Sequence, residues 1–353
     1  MPEPLSIFDS PHMDDHEQVV FVSDAEAGLR AIIAVHSTAL GPALGGCRMW
    51  SYASEPEALA DVLRLSKGMS YKNALAGLPY GGGKSVILGD SAWAKTPSLF
   101  KAMGRAVERL GGAYIIAEDV GTSPADMAEV ATETVHVMGL EGQGGDPSPA
   151  TALGTFEGIK AAVRHRLGKA DLAGLRVAVQ GLGHVGWLLA EHLHLAGAEL
   201  VVSDLDSLAV AGAVAQFDAT AVEPEAIYGA DVDVFAPCAL GAVINDDTIG
   251  RLQAKVIAGS ANNQLATEAH ARGCKDRGIL YAPDYVINAG GVIQIHYEGV
   301  QGDAEAAVEA VRAIGKTLER IFAQADRDAM TPLRAANVIA EHRLRGPDKV
   351  AAE

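Results

Sequence analysis

The chain of 353 residues is long enough for two domains and a large core, and its 49% apolar and 21% charged residues are those of a globular protein that needs no disulfide to fold. A formal net charge of −17, with no Lys/Arg stripe interleaved with aromatics, argues against a nucleic-acid partner. The opening MPEPLSIFDSPHMDDHE is acidic and lacks the apolar core of a secretory signal, and no apolar run approaches the roughly 18 residues of a membrane span, so a cytoplasmic protein without a membrane partner is expected.

QVVFVSD (18–24) and LRAIIAVHS (29–37) are β-rich runs joined by the polar AEAG, which predicts a hairpin. A Gly/Pro-rich segment, TALGPALGGCRMW, follows. From Ser54, an N-cap, early acids and Leu59, Val62, Leu63 and Leu65 at helical spacing predict a helix over 54–77. A glycine run then leads into the strand-like SVILGD (85–90). Next come a helix (97–112), a strand (AYIIAEDVG, 113–121) and a helix opened by Ser123 and Pro124 (123–139). EGQGGDPSPAT (141–151) has the composition of a linker and puts a domain boundary near residue 145.

Cys47, Cys238 and Cys274 lie far apart with no C-x-x-C, which favours reduced thiols. His192 and His194, two apart on a predicted helix, point to different faces, and no metal site is expected.

LRVAVQGLGHVGWLLAEHLHLAGAELVVSDLD (175–206) carries a strand, the fingerprint Gly181-x-Gly183-x-x-Gly186, a helix and a second strand ending at Asp204, 23 residues past the first glycine. Gly181 permits a tight turn, Gly183 lets a pyrophosphate approach the backbone, and Gly186 allows close helix–strand packing. His184 and Val185 open the helix, whose free N–H groups attract phosphate. Asp204 accepts from ribose hydroxyls and repels a 2′-phosphate, which favours NAD over NADP. Strand-like runs follow at 232–240, 255–263 and 279–291. Their small or polar ends, Cys238, Ala239, Ala261, Asn263 and Asn288, fall where a parallel sheet places its ligand crevice. The segment 303–327 predicts a long amphipathic helix, and a terminal helix is expected around LRAANVIAEHRL.

GLPYGGGKSV (77–86) raises the possibility of a nucleotide P-loop, but position 78 is Leu78 where the first glycine belongs, and SVIL continues as strand rather than helix. A kinase is therefore disfavoured. Lys72 stands twelve positions before Lys84, near the end of the predicted helix. Two ammonium groups converging on one cleft, beside closely packed backbone, would make Lys84 available as a base near neutral pH. A solvated lysine is the competing reading.

GPALGGCRMW, KGMSYKNALAGL, GGGKSVI, AEDVGT, DPSPAT, VFAPCALGAVIN, AGSANNQL and YAPDYVINAGGVI together resemble the leucine/phenylalanine/valine dehydrogenases, relatives of glutamate dehydrogenase, from about residue 15 to 345. The resemblance implies an α/β fold with an N-terminal substrate-binding and oligomerisation domain (1–145), a Rossmann NAD-binding domain (146–330) and a cleft between them. It also implies C-terminal helices (331–353) that return to the first domain, and a long helix that bridges the two. The implied activity is NAD-dependent, reversible oxidative deamination of an L-amino acid to the 2-oxo acid and ammonia, in a homo-oligomer. By the same resemblance Lys72 binds the substrate carboxylate, Lys84 is the general base that activates water, and Asp119 handles amino-group protons. Gly45 and Gly46 offer backbone N–H groups to the carboxylate, Asn262 holds substrate with Asn263 beside it, and Thr151 sits near the carboxamide.

The family pocket maps onto Leu44, Met69, Ala117, Val292 and Ile295, all apolar, so a non-polar side chain is expected and glutamate disfavoured. AED around Ala117 and GGVI around Val292 look like the leucine enzymes, which favours branched-chain substrates with phenylalanine as the alternative. Cys47 replaces a usual threonine, and His184 and Gly186 depart from GVGNVA. The reading from another class is a non-catalytic NAD-responsive binding protein on the same fold.

Overall fold

Alternating side chains on two early strands decide which helices cover which face of the first sheet. β1 (Gln18–Asp24) and β2 (Leu29–Ser37) form the expected antiparallel hairpin, turned through Gly28 at φ 72°. Along β2, Ile33 and Val35 enter one core layer and Ile32 and Ala34 the other, the period of a strand buried on both faces. The structure, a computed structural model, describes residues 7–8, 10–140 and 145–345.

β3 (Ala43–Trp50), β4 (Gly81–Leu88) and β5 (Tyr114–Glu118) complete a five-stranded sheet of order β1-β2-β4-β3-β5, in which β3 runs parallel to both β4 and β5. α1 (Glu55–Ala76) covers one face through Leu59, Val62 and Leu63. α2 (Pro97–Glu108) and α3 (Pro124–Ala131) cover the other through Leu99, Met103, Met127 and Val130. Ser54 caps α1 by accepting from the Glu57 N–H, and Gly77 ends it at φ 73°.

The sequence expectation changes in three places here. β3 comes from the Gly/Pro-rich segment to which no element was assigned, and glycines 81–83 lie inside β4 rather than ahead of it. Close packing outweighs the poor strand propensity of glycine: a Cβ at Gly82 would lie 2.0 Å from the Ser70 nitrogen of α1, and one at Gly45 1.8 Å from the Gly83 carbonyl oxygen. α3 stops at Ala131 instead of reaching 139, because the β-branched TETVHV stretch turns back to bridge Val137 to Ile116 of β5. The expected linker lies partly outside the described residues, at 141–144.

From residue 146 the chain builds a second unit around six parallel strands, β6 (Arg176–Gln180), β7 (Glu199–Ser203), β8 (Thr220–Ala221), β9 (Val234–Pro237), β10 (Val256–Ile257) and β11 (Leu280–Tyr281). Their order, β11-β10-β9-β6-β7-β8, is that of the doubly wound dinucleotide-binding sheet. α4 (Ser148–Leu167), which the sequence reading passes over, packs on α10 (Ala304–Arg327): a Cβ at Gly154 would stand 2.6 Å from Ile314 and one at Gly158 2.9 Å from Leu318. The run 279–291 is strand only at β11. Pro283 ends it, and α8 (Asp284–Ile287) and α9 (Gly290–Gln294) follow, continued by a π-helical stretch, Ile295–Val300.

By their internal contacts, described residues up to 145, 298–302 and those from 340 on form one unit, and 146–297 with 303–339 the other. α10 thus belongs wholly to the second unit instead of bridging. α11 (Pro332–Arg345) changes allegiance along its length, where the expectation gave all of 331–353 to the first unit. Hydrogen bonds explain this: Tyr285 Oη donates to Asn337 at 2.6 Å in the second unit, and Tyr71 Oη to Glu341 at 3.1 Å in the first. Among the described residues no helix is long and apolar enough to cross a membrane, and no three His, Cys, Asp or Glu side chains gather as a metal set.

The packing of α1 on β4 predicts that Gly82→Ala lowers stability by about 3 kcal/mol through overpacking. Gly68→Ala, where a Cβ meets nothing within 4 Å, is expected to stabilise by about 0.5–1 kcal/mol. Urea unfolding midpoints of the two variants check both signs.

Candidate active site

Lys84 sits in the middle of β4 with 5% of its surface exposed. Such an ammonium needs a counter-charge, and its Nζ lies 3.0 Å from Asp119 Oδ2, one residue beyond β5. Gly46, paired with Ala117 across β3 and β5, makes the approach possible: a Cβ there would stand 2.7 Å from Asp119 Cβ. Gly45 lies against Met69 of α1, with 3.3 Å from its would-be Cβ to Met69 Cγ. Its carbonyl accepts from Tyr114 Oη at 2.7 Å, and Tyr114 in turn meets Ser85 Oγ at 3.0 Å. Leu44 and Ala117 are buried on β3 and β5. Lys72 is half-buried one turn before the end of α1.

Arg48 of β3, absent from the sequence expectation, completes the cluster. Its Nε donates to the same Asp119 Oδ2 at 3.1 Å, and its Nη1 to Asp61 Oδ2 of α1 at 2.9 Å. Burial works against the Asp119 charge, but the Lys84 ammonium and the Arg48 guanidinium outweigh it and hold the carboxyl below its ordinary value. Burial pushes the Cys47 thiol up to about 12, so the residue in the usual threonine position is a neutral, inert neighbour.

The second unit brings the nucleotide-loop residues together. Gly181 follows β6 at φ 96°, where a Cβ would press within 2.7 Å of Ala239 Cβ, and one at Gly186 would lie 2.0 Å from the Gly181 carbonyl oxygen and 3.3 Å from Cys238 Cβ. Gly183 differs: a Cβ there meets nothing, so its backbone faces open space. It also stands at the N-cap of α5 (His184–Leu195) without a side-chain cap, which leaves first-turn N–H groups for an anion. His184 is exposed and Val185 half-buried in that turn. Asp204 follows β7 and accepts from the Leu182 N–H at 2.5 Å and the Asp206 N–H at 2.8 Å.

Beyond β10, Ala261 N donates to the Pro237 carbonyl at 2.9 Å, and Asn263 takes a left-handed φ of 51°. Asn288, between α8 and α9, donates to Asn262 Oδ1 at 2.7 Å and to the Ser260 carbonyl at 3.1 Å, while its own buried Oδ1 has no hydrogen-bond partner. Thr151 donates to the Pro147 carbonyl at 2.9 Å and lies 3.2 Å from the position of a Cβ at Gly291. Val292 and Ile295, three apart on the following helical stretch, are half-buried. The orphaned acceptor of Asn288, the open face of Gly183 and the uncapped helix start fit a dinucleotide.

A parallel sheet of this order with that loop defines a dinucleotide-binding protein of the Rossmann class. Comparison with known proteins agrees. Residues 16–136 match the model of the Glu/Leu/Phe/Val dehydrogenase dimerisation domain, and residues 203–345 that of Glutamate/Leucine/Phenylalanine/Valine dehydrogenase. A leucine dehydrogenase of Geobacillus stearothermophilus is 51% identical over 343 residues, 96% of this chain and 94% of that protein. A phenylalanine dehydrogenase of Bacillus thermotolerans is 47% identical, covering 98% and 92%. The crystal structure of L-tryptophan dehydrogenase from Nostoc punctiforme superposes with a TM-score of 0.83 at 46% identity, covering 94% and 96%. The chain belongs to the Glu/Leu/Phe/Val dehydrogenase family of amino-acid dehydrogenases.

Removing the Asp119 charge strands a buried ammonium, so Asp119→Asn is expected to cost about 3 kcal/mol of stability. Because its folded value is depressed, the contribution of Asp119 is fully present above the ordinary 3.8 and is lost as pH falls through the lower folded value. Stability measured against pH for wild type and variant would therefore converge in strong acid.

Proposed function

We propose that the protein catalyses NAD-dependent, reversible oxidative deamination of an apolar L-amino acid to the 2-oxo acid and ammonia, with leucine and other branched-chain amino acids ahead of phenylalanine. The observation that carries this reading is the buried Lys84–Asp119 pair at 3.0 Å, set beside two side-chain-free residues, Gly45 and Gly46. When bound, the nucleotide supplies the two-electron acceptor. The chain's own residues manage the rest: Lys72 and the Gly45 and Gly46 N–H groups hold the substrate carboxylate, and Asn262 orients the amino-acid backbone. Asp119, ionised at rest, takes a proton from the substrate ammonium; once Cα is oxidised to the imine, Lys84 takes a proton from the attacking water and Asp119 returns its proton to nitrogen, so that imine and water leave as ketone and ammonia.

Leu44, Met69, Ala117, Val292 and Ile295 supply no cation for a glutamate side chain. The 51% identity to a leucine dehydrogenase against 47% to a phenylalanine dehydrogenase leans the same way. Asp204 favours NAD, and Thr151, Asn263 and Asn288 are read as contacts to its nicotinamide end. A non-catalytic NAD-responsive protein would have no use for a buried ammonium held against a carboxylate, a costly arrangement. Residues up to 145 are read as the substrate-binding and homo-oligomerising part and 146–330 as the NAD domain, the former in keeping with the dimerisation-domain model that matches 16–136. The buried thiols of Cys47 and Cys274 suit a reducing, cytoplasmic setting.

Initial rates of NAD reduction at alkaline pH with L-leucine, L-valine, L-phenylalanine, L-tryptophan and L-glutamate test the proposal. The expected outcome is highest kcat/KM with leucine and a loss of about 10²–10⁴-fold in Lys84→Ala. Activity led by an aromatic substrate would overturn the substrate assignment. NAD binding without turnover of any of the five would favour the non-catalytic reading. For the cofactor, Asp204→Asn keeps an acceptor for Leu182 but removes the charge, and is expected to improve NADP relative to NAD by about 1 kcal/mol or more.

A further inference from the structure

Two cations share one oxygen of Asp119, and only one of them can change its charge. Lys84 Nζ and Arg48 Nε lie 3.0 and 3.1 Å from Oδ2. A lysine that acts as a base spends part of each cycle neutral. With Lys84 as its only partner, Asp119 would then become an unpaired buried carboxylate, which is costly and resists the proton leaving the lysine. A guanidinium keeps its charge throughout.

Arg48 is built to stay in place. Its side chain is 19% exposed, and its second nitrogen is tied to Asp61 Oδ2 at 2.9 Å. Asp61 is held in turn by Tyr52 Oη at 2.8 Å on the same oxygen and by Arg64 Nη2 at 2.8 Å on the other. Of the other titratable neighbours, Cys47 on β3 and Tyr114 on β5 are kept neutral by burial, and Asp126 at the start of α3 is paired with Lys95 at 2.6 Å.

We propose that Arg48 is a positioning residue of the reaction, a permanent counter-charge that keeps Asp119 aimed, and ionised until it takes up a substrate proton, when Lys84 has given up its own. This rests on the reading of Lys84 as the base. Removing Arg48 leaves the full negative charge of Asp119 to the lysine, so the proton is released only at higher pH. A purely architectural arginine would lower activity without moving the pH profile.

The test is kcat/KM for L-leucine against pH, with NAD saturating, for wild type, Arg48→Gln, Arg48→Met, Arg48→Lys and Lys84→Ala. Thermal midpoints and NADH fluorescence titrations confirm that each variant is folded and binds nucleotide. The expected result is an acid limb moved up by about one pH unit in both neutral variants. That gives a roughly tenfold deficit below the limb, and the deficit narrows as pH rises. Arg48→Lys returns the limb toward wild type because it restores a charge. Equal loss at every pH in Arg48→Gln and Arg48→Met, or an Arg48→Lys profile matching theirs, would overturn the assignment. Retained activity in Lys84→Ala would instead remove the base reading itself, and this outcome is separable because it does not depend on any Arg48 variant.

Discussion

The burial of one ammonium group, that of Lys84, is the constraint from which the first unit is built. A charge with 5% exposure is tolerable only beside a fixed opposite charge, and the nearest carboxylate lies 35 residues away in sequence, at Asp119. In the structure β4 and β5 flank β3 in parallel, and Lys84 of β4 and Asp119, just past β5, meet at 3.0 Å across it. The same alignment delivers Arg48 to the other side of Asp119. The residue between them, Gly46, cannot carry a side chain, since its Cβ would occupy the space of Asp119 Cβ.

Around the two sites glycine serves two purposes, and what a Cβ would touch separates them. Gly45 and Gly82 exist because backbone comes against backbone, so the missing side chain makes room for β4 and α1. Gly181 and Gly186 close the turn after β6 in the same way. Gly183 has no neighbour to avoid, and its missing side chain instead leaves backbone open to solvent at the uncapped start of α5. A glycine with nothing to pack against, beside unused N–H donors, is the mark of a binding position rather than of compaction.

Local signals made part of this fold readable. Ser54 at the start of α1, the two-residue period of the hairpin and the full strand–glycine–helix–strand–acid series around Gly181 each act within a few residues, and the structure follows them. β3, the glycines of β4, the early end of α3 and helix α4 were hidden because their state is set by remote packing: α1 over Gly82, Ile116 beside Val137, α10 over Gly154. The site divides similarly. Lys84 and Asp119 stand in recognisable motifs, and the structure pairs them. Arg48 stands in an equally visible one, GGCRMW, yet its role comes from contacts 71 and 13 positions away in sequence, which no spacing reveals.

This division of labour explains why relatives of nearly level identity, 46 to 51%, carry the names of leucine, phenylalanine and tryptophan dehydrogenases. Discrimination between apolar side chains is worth only about 1–3 kcal/mol and depends on pocket volume, which a few apolar-for-apolar substitutions can change. The charged cluster tolerates no comparable freedom. Exchanging Asp119 strands the buried Lys84 ammonium, at a cost of about 3–5 kcal/mol for a broken pair, and exchanging either cation leaves Asp119 with one partner instead of two. Preference among apolar side chains can therefore drift at small energetic cost on this scaffold while the buried charged cluster stays as it is.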